Sequence, residues 1–325
     1  MLRLKSALFA AATLLAATSI VSADELHLTH VNPPGDLISQ AADRFAAAVA
    51  ERTNGDITIA VHPASSLAGL RDGVEGAQLG TIDIAVADSG TLGNWIPEMG
   101  LFSLPFLFDD FDHQRRVFAG PVGDWRREQA RAVMGVEMIG SAPIGQRVIL
   151  STSRAINGPE DIRGLTFRVP EIPVYVRMVT TLGGNPTPIP FADLYVALQT
   201  DVVEAAEGTA TSHQAAKLHE VTNYASRVHH IMLDNAVVMN GDRFDGLAPE
   251  HQQVIRDAAS EFFDIWLSEQ RETAEDEAWA FLAEHVEAND SPDREAFRTA
   301  LQPLIGAFVA ETGTEELLQY IDDAR

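Results

Sequence analysis

Leu26-His27-Leu28-Thr29-His30-Val31 alternates at period two and stops at Asn32-Pro33-Pro34-Gly35, which predicts a strand followed by a loop. The spacing then changes. Leu37, Ala41, Phe45, Ala48 and Val49 recur at the helical period until Asn54-Gly55 breaks it, so a helix is expected over 37–52. Ile57 to Val61 reads as the next strand, Val74 to Leu79 as a helix, and Ile82 to Val86 as a buried strand. Strands alternating with helices predict an α/β fold on a largely parallel sheet, because parallel neighbours need a crossover connection.

The alternation restarts near Arg147. Val148-Ile149-Leu150 and Thr166-Phe167-Arg168-Val169 read as strands, Pro159 to Ile162 as a helical turn, and Pro173 to Leu182 as a helix closed by Gly183-Gly184. Asn185 to Pro190 is proline-rich but too short for a flexible interdomain linker, and Phe191 to Leu198 resumes a helix. From Pro249 to about His285 the helical pattern is nearly unbroken, with Ile255, Ala258, Phe262, Trp266, Trp279 and Leu282 among its apolar positions. Such a helix is on the order of 50 Å long, more than a small domain's diameter, so one helix shared by two lobes is expected.

An internal echo favours two related lobes. Gln78-Leu79-Gly80-Thr81-Ile82-Asp83-Ile84-Ala85 aligns without gaps to Gln199-Thr200-Asp201-Val202-Val203-Glu204-Ala205-Ala206. Such apolar–acid patterns also arise by chance in α/β chains. If the echo is real, Ala87-Asp88-Ser89-Gly90 and Gly208-Thr209-Ala210-Thr211 are equivalent loops after equivalent strands. Ligands of open parallel sheets bind beyond the carboxyl ends of strands, so two such loops would frame a cleft between lobes. Each loop is expected to open a helix whose first amides can hold an anion or a carbonyl, with Thr209 or Thr211 as the cap.

Composition narrows the function classes. The chain has 325 residues, 46% hydrophobic and 22% charged, which is comfortable for two globular domains. A formal charge of −24 repels phosphate backbones and argues against a nucleic-acid partner. The sequence has no cysteine, so disulfides, thiolate nucleophiles and cysteine metal sites are excluded. Residues 1–23 combine Arg3 and Lys5, an apolar stretch from Ala7 to Ala17 and a Val21-Ser22-Ala23 ending. That is the pattern of a signal peptide cleaved after Ala23, with a retained anchor as the alternative. No other run approaches the roughly 20 apolar residues of a membrane span, so a soluble, exported mature protein in the periplasm is expected.

Catalytic motifs are mostly missing. There is no dinucleotide fingerprint, phosphate loop, GxSxG or HExxH. His229-His230 and the pair His27/His30 would point to opposite faces of a strand, so they read as surface or core residues and not as metal ligands. Glu272 to Glu277 lacks the glycine and ligand spacing of a calcium loop. No cofactor is expected.

Two arginines stand out. Arg168 interrupts the apolar strand Leu165 to Val169, and Arg147 precedes Val148-Ile149-Leu150. A guanidinium there needs a partner, because an unpaired buried charge costs several kcal/mol. One reading pairs each with an aspartate or glutamate of the chain. The other leaves each for a ligand carboxylate, which the planar fork grips with two parallel hydrogen bonds.

Around these residues the sequence resembles a known family. Gly164 to Tyr175, with Leu182-Gly183-Gly184-Asn185-Pro186-Thr187-Pro188 and Ala197-Leu198-Gln199-Thr200, is similar to the DctP-type periplasmic solute-binding subunits of tripartite ATP-independent (TRAP) transporters. Gln78 to Asp83, Leu104-Pro105-Phe106-Leu107-Phe108 and Pro159 to Gly164 match in consistent order, so the resemblance covers essentially the whole mature chain. It implies a two-lobed periplasmic binding protein fold with chain crossovers. Lobe I would be 24–145 with 234–273, and lobe II 146–233 with 274–325. It implies capture of a small organic acid in the interlobe cleft and delivery to membrane permease subunits, with no bond made or broken. The driving energy would come from an ion gradient in the permease, so no nucleotide site is expected in this chain.

The family's carboxylate-gripping arginine matches Arg168, and a second that often assists matches Arg147. Where the family usually reads Glu-Asn-Pro, this chain reads Glu207-Gly208-Thr209, so the asparagine contact is lost and no particular member's substrate carries over. Gly208 is expected to leave a space beside Arg168, taken by a ligand bulkier than a four-carbon diacid or by an ordered water. Tyr175, Glu207 and His213 would line that space, and Ser89, Thr209, Asn32 and Asn235 complete the expected ligand-binding set. The alternative is that Gly208 only supplies a backbone angle. Two other classes stay open. An exported α/β enzyme would need a nucleophile or acid/base pair that the sequence does not present. A binding protein of an ATP-driven importer or a sensor kinase would share the features above.

Overall fold

The computed structural model describes residues 24–325; the signal-peptide reading of 1–23 lies outside them. Strands β1 (Asp24–Thr29), β2 (Ile57–His62), β3 (Ile84–Ala87) and β4 (Val136–Gly140) come first along the chain. Next are β5 (Pro143–Ser151), β6 (Thr166–Val169), β7 (Asn185–Pro188), β8 (Ala205–Thr209), β9 (Tyr224–Ser226) and β10 (Met232–Asp234). Last come β11 (Ala236–Asn240) and β12 (Glu287–Asn289). They form two sheets, ordered β2-β1-β3-β11-β4 and β12-β9-β5-β8-β6-β7, with β10 added on β5.

The strands within each sheet run parallel except one. In the first sheet β11 is antiparallel to both neighbours, and in the second β5 is antiparallel to β8, β9 and β10. Each reversed strand is the one that has just crossed over, since β5 follows β4 and β11 follows β10 with only a short connection. The reversed strand in each sheet is thus the one that enters directly from the other sheet, with no helix between.

The long helix is present and is shared. Pro249–Ala259, Ser260–Trp266 and Leu267–His285 run on as one helical segment, the middle piece being π-helical. Phe263 and Leu267 belong to the core that also holds Leu26, Phe45 and Ile57 of the first sheet's layer. Ala278, Trp279 and Leu282 belong to the core beneath Val148, Leu150 and Leu198 of the second. The extra residue per turn in a π segment re-phases the apolar stripe, which lets one helix face two cores. Trp279 donates its indole hydrogen to Asp290 at 2.6 Å, and Trp266 lies under the Arg44 guanidinium at 4.7 Å.

The internal echo is structural. Leu70–Leu79 leads into β3, and Leu194–Gln199 leads into β8. After β3, Asp88 caps the short helix Ser89–Leu92; after β8, Thr209 caps Ala210–Ala215. The register of the echo places Asp88 on Thr209, so the two caps are equivalent.

Two local readings change. The proline-rich segment is the edge strand β7, paired parallel to β6, where a missing N–H costs least. His229 and His230 lie in the connection between β9 and β10 and not on a strand, and His229 takes a left-handed φ of 51°. The C-terminal helices reach back toward the first sheet's helices. His113 on Phe111–Ala119 is 2.7 Å from the Ile321 carbonyl, and Arg294–Thr312 packs against Pro173–Thr181 and the short helix Pro97–Ser103. No helix among the described residues is long and apolar enough to cross a membrane.

Candidate functional site

A cavity of about 100 Å³ lies between the two sheets, at the carboxyl ends of β3, β6 and β8. From the first sheet its wall includes Val31, Asn32 and Asp36 after β1, and Val86 to Asp88 from β3 and its cap. From the second it includes Arg147 on β5, Arg168 on β6 and Glu207 to Thr209 on β8. Hydrogen bonds join the two sides at one edge. Ser212 donates its hydroxyl to Asp36 at 2.9 Å, and the Asn32 amide donates to the same hydroxyl at 3.3 Å.

β8 lies between β5 and β6, and that order decides the electrostatics. Arg147 stands opposite Thr209 on β8, so Glu207 is its diagonal neighbour on the same face. The Glu207 carboxylate accepts from both Nε and Nη2 of Arg147, the second at 2.9 Å. Burial alone would raise Glu207, but the Arg147 charge and its hydrogen bonds outweigh that and hold the carboxyl below its usual range. Burial works against Arg147 too, yet Glu207 keeps its guanidinium charged. The Arg147 guanidinium also lies 4.9 Å from the Tyr175 ring centre.

Arg168 is different. It is 3% exposed, and among the described residues its guanidinium makes one hydrogen bond, from Nε to the Ile189 carbonyl at 2.8 Å. The Pro186-Thr187-Pro188 edge strand delivers that carbonyl, and Phe191 just beyond it supplies a ring 5.7 Å from the guanidinium carbon. Burial pushes Arg168 down to about 10, opposed by Glu207 and reinforced by the Arg147 charge. A buried, charged fork with both Nη atoms unpaired on a cavity wall is built to receive an anion.

The family model for bacterial extracellular solute-binding protein family 7, DctP, matches residues 28–312. The chain belongs to that family. It is 30% identical over 301 residues to the sialic acid-binding periplasmic protein SiaP of Vibrio cholerae, covering 93% of both chains. It is 31% identical over 255 residues to the 2,3-diketo-L-gulonate-binding periplasmic protein YiaO of Escherichia coli, covering 78% of this chain and 77% of that one. A TRAP periplasmic solute-binding protein of Roseobacter denitrificans, solved with β-D-glucuronate, superposes with a TM-score of 0.86 at 27% identity. That match covers 92% of this chain and 99% of the other. Relatives and structural neighbours in this family are binding proteins.

The fold divides the expected ligand-binding residues into two groups. Arg168, Arg147, Glu207, Gly208, Thr209 and Asn32 line the cavity. Ser89, Tyr175, His213 and Asn235 are fully buried and stand outside its wall. The Ser89 hydroxyl donates to Asp234 at 2.7 Å and accepts from Arg126 at 2.7 Å. The Asn235 amide accepts from Ala142 N at 2.6 Å and donates to the Phe263 carbonyl at 3.2 Å, tying together the two places where the chain crosses between sheets. These side chains position the wall.

Two expectations at the loops are corrected. The amides that open Ala210–Ala215 are already occupied, because Glu275 on the long helix accepts from Ala210 N at 3.1 Å and Thr211 N at 3.3 Å. At the other loop, Asp234 accepts from Ser89 N and Asp88 from Thr91 N, at 3.3 and 2.7 Å. Protein carboxylates thus satisfy the donors that seemed available to a ligand, since a buried N–H cannot be left unpaired. Nor does Gly208 leave a space. A Cβ at Gly208 would stand 2.5 Å from His213 Nε2, so the imidazole fills the volume. Burial holds that imidazole neutral, pushing it down to about 3.

Gly208→Ala is therefore expected to lower Tm by roughly 3–10 °C through overpacking, and adding His213→Ala should restore most of the loss. An unchanged Tm in the single variant would mean that His213 does not occupy this volume.

Asp36, Asp88, Asp234 and Arg126 were not singled out from the sequence. Asp36 and Asp88 carry the helix-cap signal, an acid just before a helix start, and both caps open onto the cavity. Asp234 and Arg126 give no such signal. Arg126 sits in the ordinary amphipathic helix Pro121–Met134 and meets Asp234 only through the fold.

Proposed function

We infer that this chain is the solute-binding subunit of a TRAP transporter, that it captures a small organic acid between its two lobes, and that it delivers the acid to membrane permease subunits. One observation carries the reading: the buried Arg168 fork has unpaired nitrogens on the wall of the interlobe cavity. The relatives support the same class, since SiaP is named for sialic acid and the Roseobacter structure holds glucuronate, both of them carboxylates. Arg147 acts with Arg168 in this reading, its remaining Nη1 adding a donor beside the anion while Glu207 fixes its other nitrogens.

The chain passes between the lobes three times: near the β4–β5 connection, near the β10–β11 connection and along the long helix. Lobe I takes 24–145 with 234–273, and lobe II takes 146–233 with 274–325, with the last two helices bridging them. Residues 1–23 act as a signal peptide removed after Ala23, so the mature protein works in the periplasm. Binding and closure are coupled and no reaction is catalysed.

A thermal-shift screen over sugar acids, hydroxy acids, keto acids, diacids and their neutral amides tests the reading. A cognate acid at a hundred times its Kd should stabilise by about 2.7 kcal/mol, a shift of roughly 5–10 °C, and its amide should not. Stabilisation by neutral or cationic solutes alone would overturn it.

A further inference from the structure

Sorting the cavity wall by what is already bonded leaves few polar atoms for a ligand. Asp36 accepts from Ile38 N and from Ser212, while Asp234 accepts from Ser89 and Arg126. Glu207 is taken by Arg147; Thr209 and Thr211 are held by Ser212 and Glu275. Besides Nη1 of Arg147, which lies on the anion side, two charged groups remain. One is the outer edge of the Arg168 guanidinium. The other is Asp88, whose Oδ1 caps the helix after β3 by accepting from Thr91 N at 2.7 Å and Thr91 Oγ1 at 2.9 Å. Its Oδ2 has no hydrogen-bond partner among the described residues, and the side chain lines the cavity while 93% buried (7% exposed).

Much of the remaining wall is apolar: Leu37, Ile38, Leu70, Ile144, Leu233 and Leu267. A polyhydroxylated acid would press several hydroxyls against these side chains without partners, and each unpaired polar group costs free energy. The cavity's volume is about 100 Å³, which suits a compact acid. The chemistry on offer is one anion site, one strong acceptor and apolar walls.

Resting on the carboxylate-binding reading above, we propose that the ligand is a compact, branched aliphatic monocarboxylate with a single hydroxyl, its carboxylate held by Arg168 and its hydroxyl donated to Asp88 Oδ2. Asp88 is then the residue that selects a hydroxy acid over the plain fatty acid, and the leucine-rich walls select against sugar acids.

Isothermal titration of the mature protein with 2-hydroxy-4-methylpentanoate, 4-methylpentanoate, leucine and glucuronate tests this. The hydroxy acid should bind at least about tenfold more tightly than 4-methylpentanoate, as expected for a hydrogen bond to a charged group. In Asp88→Ser, which keeps a capping hydroxyl but cannot reach the ligand, that ratio should fall to within about threefold. Should Asp88→Ser fail to fold, Asp88→Asn keeps the cap and the shape and should still reduce the ratio. A ratio near one in the wild type, a ratio unchanged in both variants, or tighter binding of leucine overturns the proposal. Tight glucuronate binding that Arg168→Lys abolishes overturns it too, while leaving the carboxylate reading standing. If the amide of the hydroxy acid bound as tightly as the acid, the carboxylate reading itself would fall.

Discussion

Arg168→Ala is expected to abolish ligand binding, by roughly thirty- to several-thousand-fold, and to leave the apo protein at least as stable as the wild type. The two halves of that expectation share one cause. Arg168 is buried and has no carboxylate partner among the described residues, only the Ile189 carbonyl at Nε. Burial pushes its pKa below the ordinary arginine value, to about 10, so the folded state disfavours its charge at pH 7. A group whose folded pKa is depressed below a value this far above neutrality, and which is protonated in both states, destabilises the fold while it stays charged. Removing it relieves that cost. Arg168→Lys keeps a point charge but loses the planar fork, and it should also fail to bind. Titration calorimetry on wild type and both variants, with circular dichroism as a check on folding, reads both effects. A lysine variant binding within a few-fold of wild type would remove the bidentate contact, and a large fall in apo Tm for the alanine variant would give Arg168 a structural partner.

Arg126→Ala should behave in the opposite way. Arg126 and Asp234 form an ion pair in which each side chain is 1% exposed, and Arg126 also donates to Ser89 and to Ser141, the latter at 2.6 Å. Its guanidinium lies over Phe118 at 3.9 Å. Removing the arginine leaves the Asp234 carboxylate buried and uncompensated, a loss of about 3–5 kcal/mol and a Tm drop of roughly 6–20 °C. Replacing both charges together, Arg126→Met with Asp234→Leu, should recover much of the stability, because an apolar pair of similar volume avoids the desolvation of both ions. Calorimetric scans of the two variants decide the matter. A single variant within a degree of wild type would mean that the pair contributes nothing. The contrast with Arg168 separates an arginine with a buried ion-pair partner from one without, a distinction that burial alone does not make.

Both arginines singled out in the sequence faced the same two readings, ion pair or ligand site. The fold splits them. Arg147 falls diagonally across from Glu207 because β5 and β8 pair antiparallel with Arg147 opposite Thr209. Arg168, on the far side of β8, lies opposite Ala206 and makes no ion pair among the described residues. No local pattern distinguishes them, since strand order is a long-range property. The same holds at Gly208. Its sequence context suggests an empty volume, and the imidazole that fills it comes from the helix beginning at Ala210.

Several features were legible because they depend only on neighbours along the chain. Period-two and helical spacing located β1, β2, the Leu37–Arg52 helix and the uninterrupted run to His285, since each needs one apolar face at a fixed repeat. The echo between Gln78 to Ala85 and Gln199 to Ala206 located two equivalent loops, each opening a helix beside one cavity. The family resemblance pointed to Arg168, which lies on the cavity wall. Tertiary structure alone decided the rest: the single reversed strand in each sheet, the Arg126–Asp234–Ser89 cluster and the unpaired oxygen of Asp88. Each depends on which residues distant in sequence come within hydrogen-bond reach, and a buried charge is settled or left open only by such partners.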